Sequence, residues 1–154
     1  MIYSAVADFS TTSNTHKDTW AYLYKNDAVR DGNYQRIEPL EPELRLSCAG
    51  KPIQAIPGPN PAAWQLHGGT PWVSVNAAGT DQTLHEWGRT IIWPQGTMFV
   101  HPGEGGLVVV RWTSPVDAVV DIFFAFANGY PSGGGDGIVG MLRWMARASP
   151  WLQG

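Results

Sequence analysis

A chain of 154 residues is long enough for one domain to bury a real core without disulfides or metals to hold it together. Charged residues make up only 15% of it, the formal net charge is −3, and Lys and Arg form no run, so the electrostatic footprint of a nucleic-acid binder is missing and no nucleic-acid partner is expected. Gly (18) and Pro (12) are frequent enough to break the chain with turns, as in all-β proteins, without the roughly 25 to 30% share that marks low complexity.

Met1 to Phe9 hold neither a basic segment nor an apolar one, so no signal peptide is read there. Asp8-Phe9-Ser10 predicts a short strand that ends in a polar turn. Trp20-Ala21-Tyr22-Leu23-Tyr24 alternates, which places Trp20, Tyr22 and Tyr24 on one face of a strand and Ala21 and Leu23 on the other, with both faces apolar enough for burial. Asp31-Gly32 signals a turn, after which Tyr34 to Ile37 pairs back. Prolines 39, 42, 52, 57, 59 and 61 make residues 38–62 an irregular connection with one strand at Glu43 to Ser47. Cys48 is the single cysteine, which excludes an internal disulfide and a cysteine-based zinc knuckle.

Short strands follow at Trp64 to His67, Trp72 to Asn76, Thr83 to Trp87, Thr90 to Trp93 and Thr97 to Val100, punctuated by glycine and proline, a spacing that suggests a sandwich or barrel rather than βαβ units. Leu107 to Thr113 and Ala118 to Ala127 are the two longest apolar, β-branched runs. Thr113 to Asp117 separates them as a turn, so they predict a buried hairpin. The run from Val116 to Ala127 is interrupted by Asp117 and Asp121 and too short to span a bilayer, so no membrane span is expected. A glycine-rich loop, Gly129 to Gly137, leads to Gly137 to Met145, a strand or alternatively a helical tail ended by Ser149-Pro150.

The order Asp8-Phe9-Ser10, Trp20-x-Tyr22, Pro71-x-Val73-x-Val75-Asn76, His101-Pro102-Gly103, Val110-Arg111-Trp112-Thr113-x-Pro115 and Gly135-Asp136-Gly137 resembles a family of bacterial jelly-roll modules that are similar to carbohydrate-binding modules. Such modules occur in secreted or cell-surface proteins. The resemblance covers about residues 7–139 and implies a single all-β domain over 1–154, an antiparallel two-sheet β-sandwich (jelly roll), with an extracellular or cell-surface location. The family pattern continues with further strands after the glycine-rich loop, so the sandwich is expected to be truncated at its C-terminus or to close differently.

No catalytic signature accompanies this fold. His67, His85, Glu86 and His101 lack metal-site spacing, no nucleophile elbow surrounds Ser132, and Gly133-Gly134-Gly135-Asp136-Gly137 lacks the Lys-Ser/Thr of a phosphate loop. His101, beside Pro102-Gly103, reads instead as a group that bonds loop backbone. No cofactor is expected beyond a structural calcium ion, for which Asp136 and Asn128 are the candidate hard oxygen ligands.

Eight tryptophans are the compositional oddity. Flat indoles stack on sugar rings, so Trp64, Trp72, Trp87 and Trp93 are the candidate binding platform, with Trp64 and Trp87 flanking Gly/Pro-rich loops, while Trp20 and Trp112 are assigned to the core. The expected function is a non-catalytic carbohydrate-binding or adhesion module with a glycan or polysaccharide ligand. A structural subunit of a larger assembly is the alternative, with the apolar tail 138–154 docking on a partner or a second copy. A small jelly-roll lyase or hydrolase is the third.

Overall fold

The computed structural model describes residues 2–15, 17–27, 32–42, 44, 47–48, 51–52, 62–66, 69–86, 89–103 and 105–127. Among the described residues all regular structure is strand: β1 Trp20–Lys25, β2 Gln35–Arg36, β3 Leu40–Glu41, β4 Ser47–Cys48, β5 Lys51–Pro52, β6 Ala63–Gln65, β7 Trp72–Val75, β8 Gln82–Glu86, β9 Arg89–Trp93, β10 Met98–His101 and β11 Leu107–Trp112. Every pairing is antiparallel. One sheet has the order β11-β1-β2 and a second the order β10-β7-β6-β3, with β4–β5 and β8–β9 as two-stranded ribbons. The expected tail strand, Gly137 to Met145, lies outside the described residues.

The two larger sheets share one core, which makes the fold an all-β antiparallel sandwich. Tyr22 and Ile37 on the side of the three-stranded sheet meet Trp64 and Val73 of the four-stranded one, all buried. Tyr24, Val108 and Val110 pack around them from the first sheet and Leu66, Met98 and Val100 from the second. Period-two alternation explains the membership, since Tyr22 and Tyr24 point the same way along β1 and face Val110 and Val108 across the ladder. Both faces of β1 are covered as its sequence predicts, with Ala21, Tyr22 and Leu23 all buried.

The chain divides into two units, Met1–Val120 and Asp121–Gly154, and the sandwich lies in the first. The hairpin expected from Leu107–Thr113 and Ala118–Ala127 does not form. β11 pairs along its whole length with β1, from Trp20↔Trp112 to Lys25↔Leu107, while residues 118–127 form no strand. β1 supplies a partner of equal length, and its pairing sets Val108 and Val110 beside Tyr24 and Tyr22 in the core. The Ser114 hydroxyl instead makes a local turn, bonding the Val116 carbonyl at 2.5 Å and accepting from the Val116 amide at 3.3 Å.

The strand expected at Asp8–Ser10 is also replaced by a turn. The Asp8 amide donates to the Ser4 carbonyl at 2.8 Å and the Asp8 carboxylate accepts from the Ser4 amide at 2.8 Å, so a short polar side chain outcompetes an extended ladder. Two buried asparagines act as backbone substitutes. Asn14 Oδ1 accepts from the Tyr22 amide at 2.8 Å while its Nδ2 donates to the Tyr22 and Ile37 carbonyls at 2.9 and 3.0 Å. Asn76 Nδ2 likewise donates to the Thr80 and Trp93 carbonyls, both at 2.9 Å, which ties the β8–β9 ribbon to the end of β7.

Candidate ligand surface

Burial divides the tryptophans differently from the sequence reading. Trp64, Trp72 and Trp93 are only 6%, 1% and 1% exposed, so the expected stacking platform on them is corrected to core. The Trp64 indole donates to the Ser10 carbonyl at 2.9 Å. Trp72 stacks on Phe99 with ring centroids 5.1 Å apart and on His101 at 5.8 Å, and Trp93 leans on Phe99 at 5.7 Å. The physical reason is that the sheet carrying Trp64 and Trp72 is covered on both faces, and ring surface spent on Phe99 and His101 is not open to a sugar. Trp87 lies outside the described residues.

Trp20 and Trp112, the pair assigned to the core, are half-buried; Trp20 packs against the core cluster as expected and keeps part of its surface open. They sit directly opposite each other where β1 begins and β11 ends. The Thr113 amide donates to the Thr19 carbonyl at 2.7 Å, so Thr19 and Thr113 are a hydrogen-bonded pair and Trp20/Trp112 a non-hydrogen-bonded one, the kind that brings side chains closest. Their ring centroids are 6.4 Å apart at 46°, and Tyr3 approaches Trp112 at 5.8 Å and 49°. The Trp20 indole donates to Asp8 Oδ2 at 3.3 Å. Trp112 Nε1 is buried without an acceptor, so what Trp112 exposes is ring carbon.

Three aromatic groups with an exposed carboxylate at their side form a surface that can hold a flat apolar face and accept hydrogen bonds beside it. Below Trp20, Asp18 accepts from the Thr15 amide at 2.6 Å and the Ser13 hydroxyl at 2.8 Å. The Thr15 backbone bond, then the Ser13 and Thr15 hydroxyls and the Arg111 charge, hold its carboxyl below the ordinary value against the opposing effect of burial. The turn is thereby fixed in its charged form. Sequence reasoning missed this group because strand alternation gives Trp20 the same face as Tyr22 and does not say that the end of a strand is less covered than its middle.

His101 behaves as its neighbours suggested. Nδ1 lies 2.7 Å from the Pro102 carbonyl, which places the proton on Nδ1, and the ring stacks on Trp72. Among the described residues no group of three His, Cys, Asp or Glu side chains converges to hold a metal ion. His67, Asn128 and Asp136, the last two being the expected calcium ligands, lie outside the described residues. Among the described residues no helix is long and apolar enough to cross a membrane. No family model, curated protein or solved structure matches the chain.

Proposed function

We propose that the chain is a non-catalytic glycan-binding or adhesion module of an exported or cell-surface protein, and that its ligand face is the Tyr3, Trp20, Trp112 and Asp8 group. The observation that carries this reading is the half-buried cross-strand indole pair with an exposed carboxylate bonded to one of its members. Ring carbon on Trp112 offers stacking area to a pyranose, and the exposed Asp8 carboxyl oxygens accept from sugar hydroxyls. A glycan array followed by titration tests it. Replacing Trp20 or Trp112 with Ala is expected to weaken binding roughly fivefold or more, the equivalent of about 1 kcal/mol of lost stacking. Replacing Phe123, 93% exposed and in the second unit, leaves it unchanged. A protein that binds no glycan, or one whose binding survives both indole changes, overturns the reading.

A second reading, a structural subunit of an assembly, is favoured by a different observation. Val116, Val119, Ile122, Phe123, Phe124 and Phe126 are 42% to 100% exposed, a concentration of large apolar side chains that solvated segments rarely carry.

A further inference from the structure

The three-stranded sheet ends on β11, which among the described residues has β1 on one side and no strand on the other. Antiparallel geometry tells which backbone groups meet that open side. Because Thr19 and Thr113 exchange a hydrogen bond, the residues two and four positions away, Arg111 and Val109, turn their amides and carbonyls toward β1. Val108, Val110 and Trp112 turn theirs outward. Natural sheets protect such an edge with charge, proline or a bulge, yet Leu107–Trp112 carries a single charged residue and no proline.

The same chain holds a segment suited to that edge. In residues 118–127 the even positions Ala118, Val120, Ile122, Phe124 and Phe126 are wholly apolar, and the odd positions Val119, Asp121, Phe123, Ala125 and Ala127 carry a single acid. An apolar run of this kind suits a strand that is covered on its even face and largely on its odd one. The Phe124 and Phe126 rings already lie on one side of the chain, 5.6 Å apart, as positions i and i+2 of an extended backbone do. Laid along β11, the even face would continue the core side that Val108 and Val110 begin.

We infer that residues 118–126 act as a donor strand that pairs with the outward edge of β11 in a second copy of this chain. This inference rests on the reading of the protein as an assembly subunit and names its partner. The second copy is the occupant because each chain carries both the donor and the acceptor. Exchange across a two-fold axis removes both open edges at once and covers both apolar segments, a closed arrangement that requires no further subunit. Thr113 to Asp117, exposed and turned by Ser114, is the hinge.

Light scattering across a concentration series, with hydrogen exchange on the same samples, tests the inference on the full chain. The wild type is expected to form a dimer. The amides of Val108, Val110 and Trp112 are expected to exchange roughly tenfold or more slowly at high concentration, while the Val109 amide, bonded toward β1, stays protected throughout. The double substitution Ile122→Asp with Phe124→Asp, at exposed positions, should give a monomer with unchanged strand content by circular dichroism. If the double variant dimerises as well as the wild type, or the dimer leaves Val108 and Val110 unprotected, strand donation is overturned while the assembly reading stands. If the wild type stays monomeric at every concentration, strand donation between copies is overturned and the assembly reading is confined to a different partner chain. Glycan binding through Trp20 and Trp112 is read separately on the same variants.

Discussion

Replacing Asn14 with Ala should cost this fold about 3 kcal/mol. Asn14 is 3% exposed and makes three hydrogen bonds, to the Tyr22 amide, the Tyr22 carbonyl and the Ile37 carbonyl, at 2.8, 2.9 and 3.0 Å. The Tyr22 carbonyl keeps a donor in the Ile37 amide at 3.0 Å, so the two groups deprived are the Tyr22 amide and the Ile37 carbonyl. Each buried group left unpaired costs about 1 to 3 kcal/mol, and water drawn into the vacated space offsets part of it. A loss near 3 kcal/mol is a large share of the 5 to 15 kcal/mol that typically holds a domain folded, and in a protein of this size it lowers Tm by roughly 6 to 12 °C. Urea unfolding followed by tryptophan emission measures it, with an unchanged m-value showing that the denatured state is the same. Asn14→Asp sharpens the test. It keeps the acceptor for Tyr22 but sets a negative oxygen against two carbonyls, so at neutral pH it should destabilise at least as much, with recovery as pH falls toward the ordinary carboxyl value of about 4, because a carboxyl so placed regains its proton above that value. A cost under about 1 kcal/mol for the alanine variant would refute the view of Asn14 as a backbone substitute.

Two further outcomes follow from local geometry. Gly106→Ala places a methyl carbon 2.7 Å from the Lys25 carbonyl oxygen and should cost about 1 to 3 kcal/mol by thermal melting, whereas Gly103→Ala, with no neighbour nearer than 3.8 Å, should not. Asp18 has its carboxyl held below the ordinary value of 3.8, so the stability it contributes is present above that value and lost as pH falls through the lowered one. The urea midpoint of the wild type should therefore drop between roughly pH 5 and pH 3 more than that of Asp18→Asn. Equal slopes would mean that the Thr15 and Ser13 bonds do not favour the ionised form.

The strands were largely legible because their signal is local. Trp20-Ala21-Tyr22-Leu23-Tyr24 alternates and becomes β1; Trp72 to Asn76 becomes β7; Thr90 to Trp93 lies within β9; the turn at Gly32 has the positive φ of 88° that only a glycine takes readily. Pairing was not legible, because a β-branched run says that it wants a neighbour without saying which. Leu107–Trp112 was matched to the nearest apolar run and pairs instead with a strand near the other end of the described chain. The candidate site failed for a related reason. Flanking Gly and Pro suggest exposure for Trp64, yet burial is decided by what packs across the sandwich, and Tyr22, Ile37 and Val73 close over it. Asn14 reads as a turn residue and Asn76 as the end of a strand, and only the fold shows what their amides bridge.

The partnership of β1 with β11 also bears on how the protein comes to be folded. The residues it joins are about 90 positions apart, so closing that ladder is entropically expensive and must wait for late contacts. During synthesis β1 is complete long before Leu107 exists, and meanwhile its remaining sheet partner is the two-residue β2. Val110, Val109 and Val108, the ladder partners of Tyr22, Leu23 and Tyr24, are then missing, and that edge of β1 is unfilled. A short-lived escort that shields β1 until β11 arrives would raise the yield of native protein more than any aid given to the local β8–β9 ribbon, whose two strands meet within a dozen residues of leaving the ribosome.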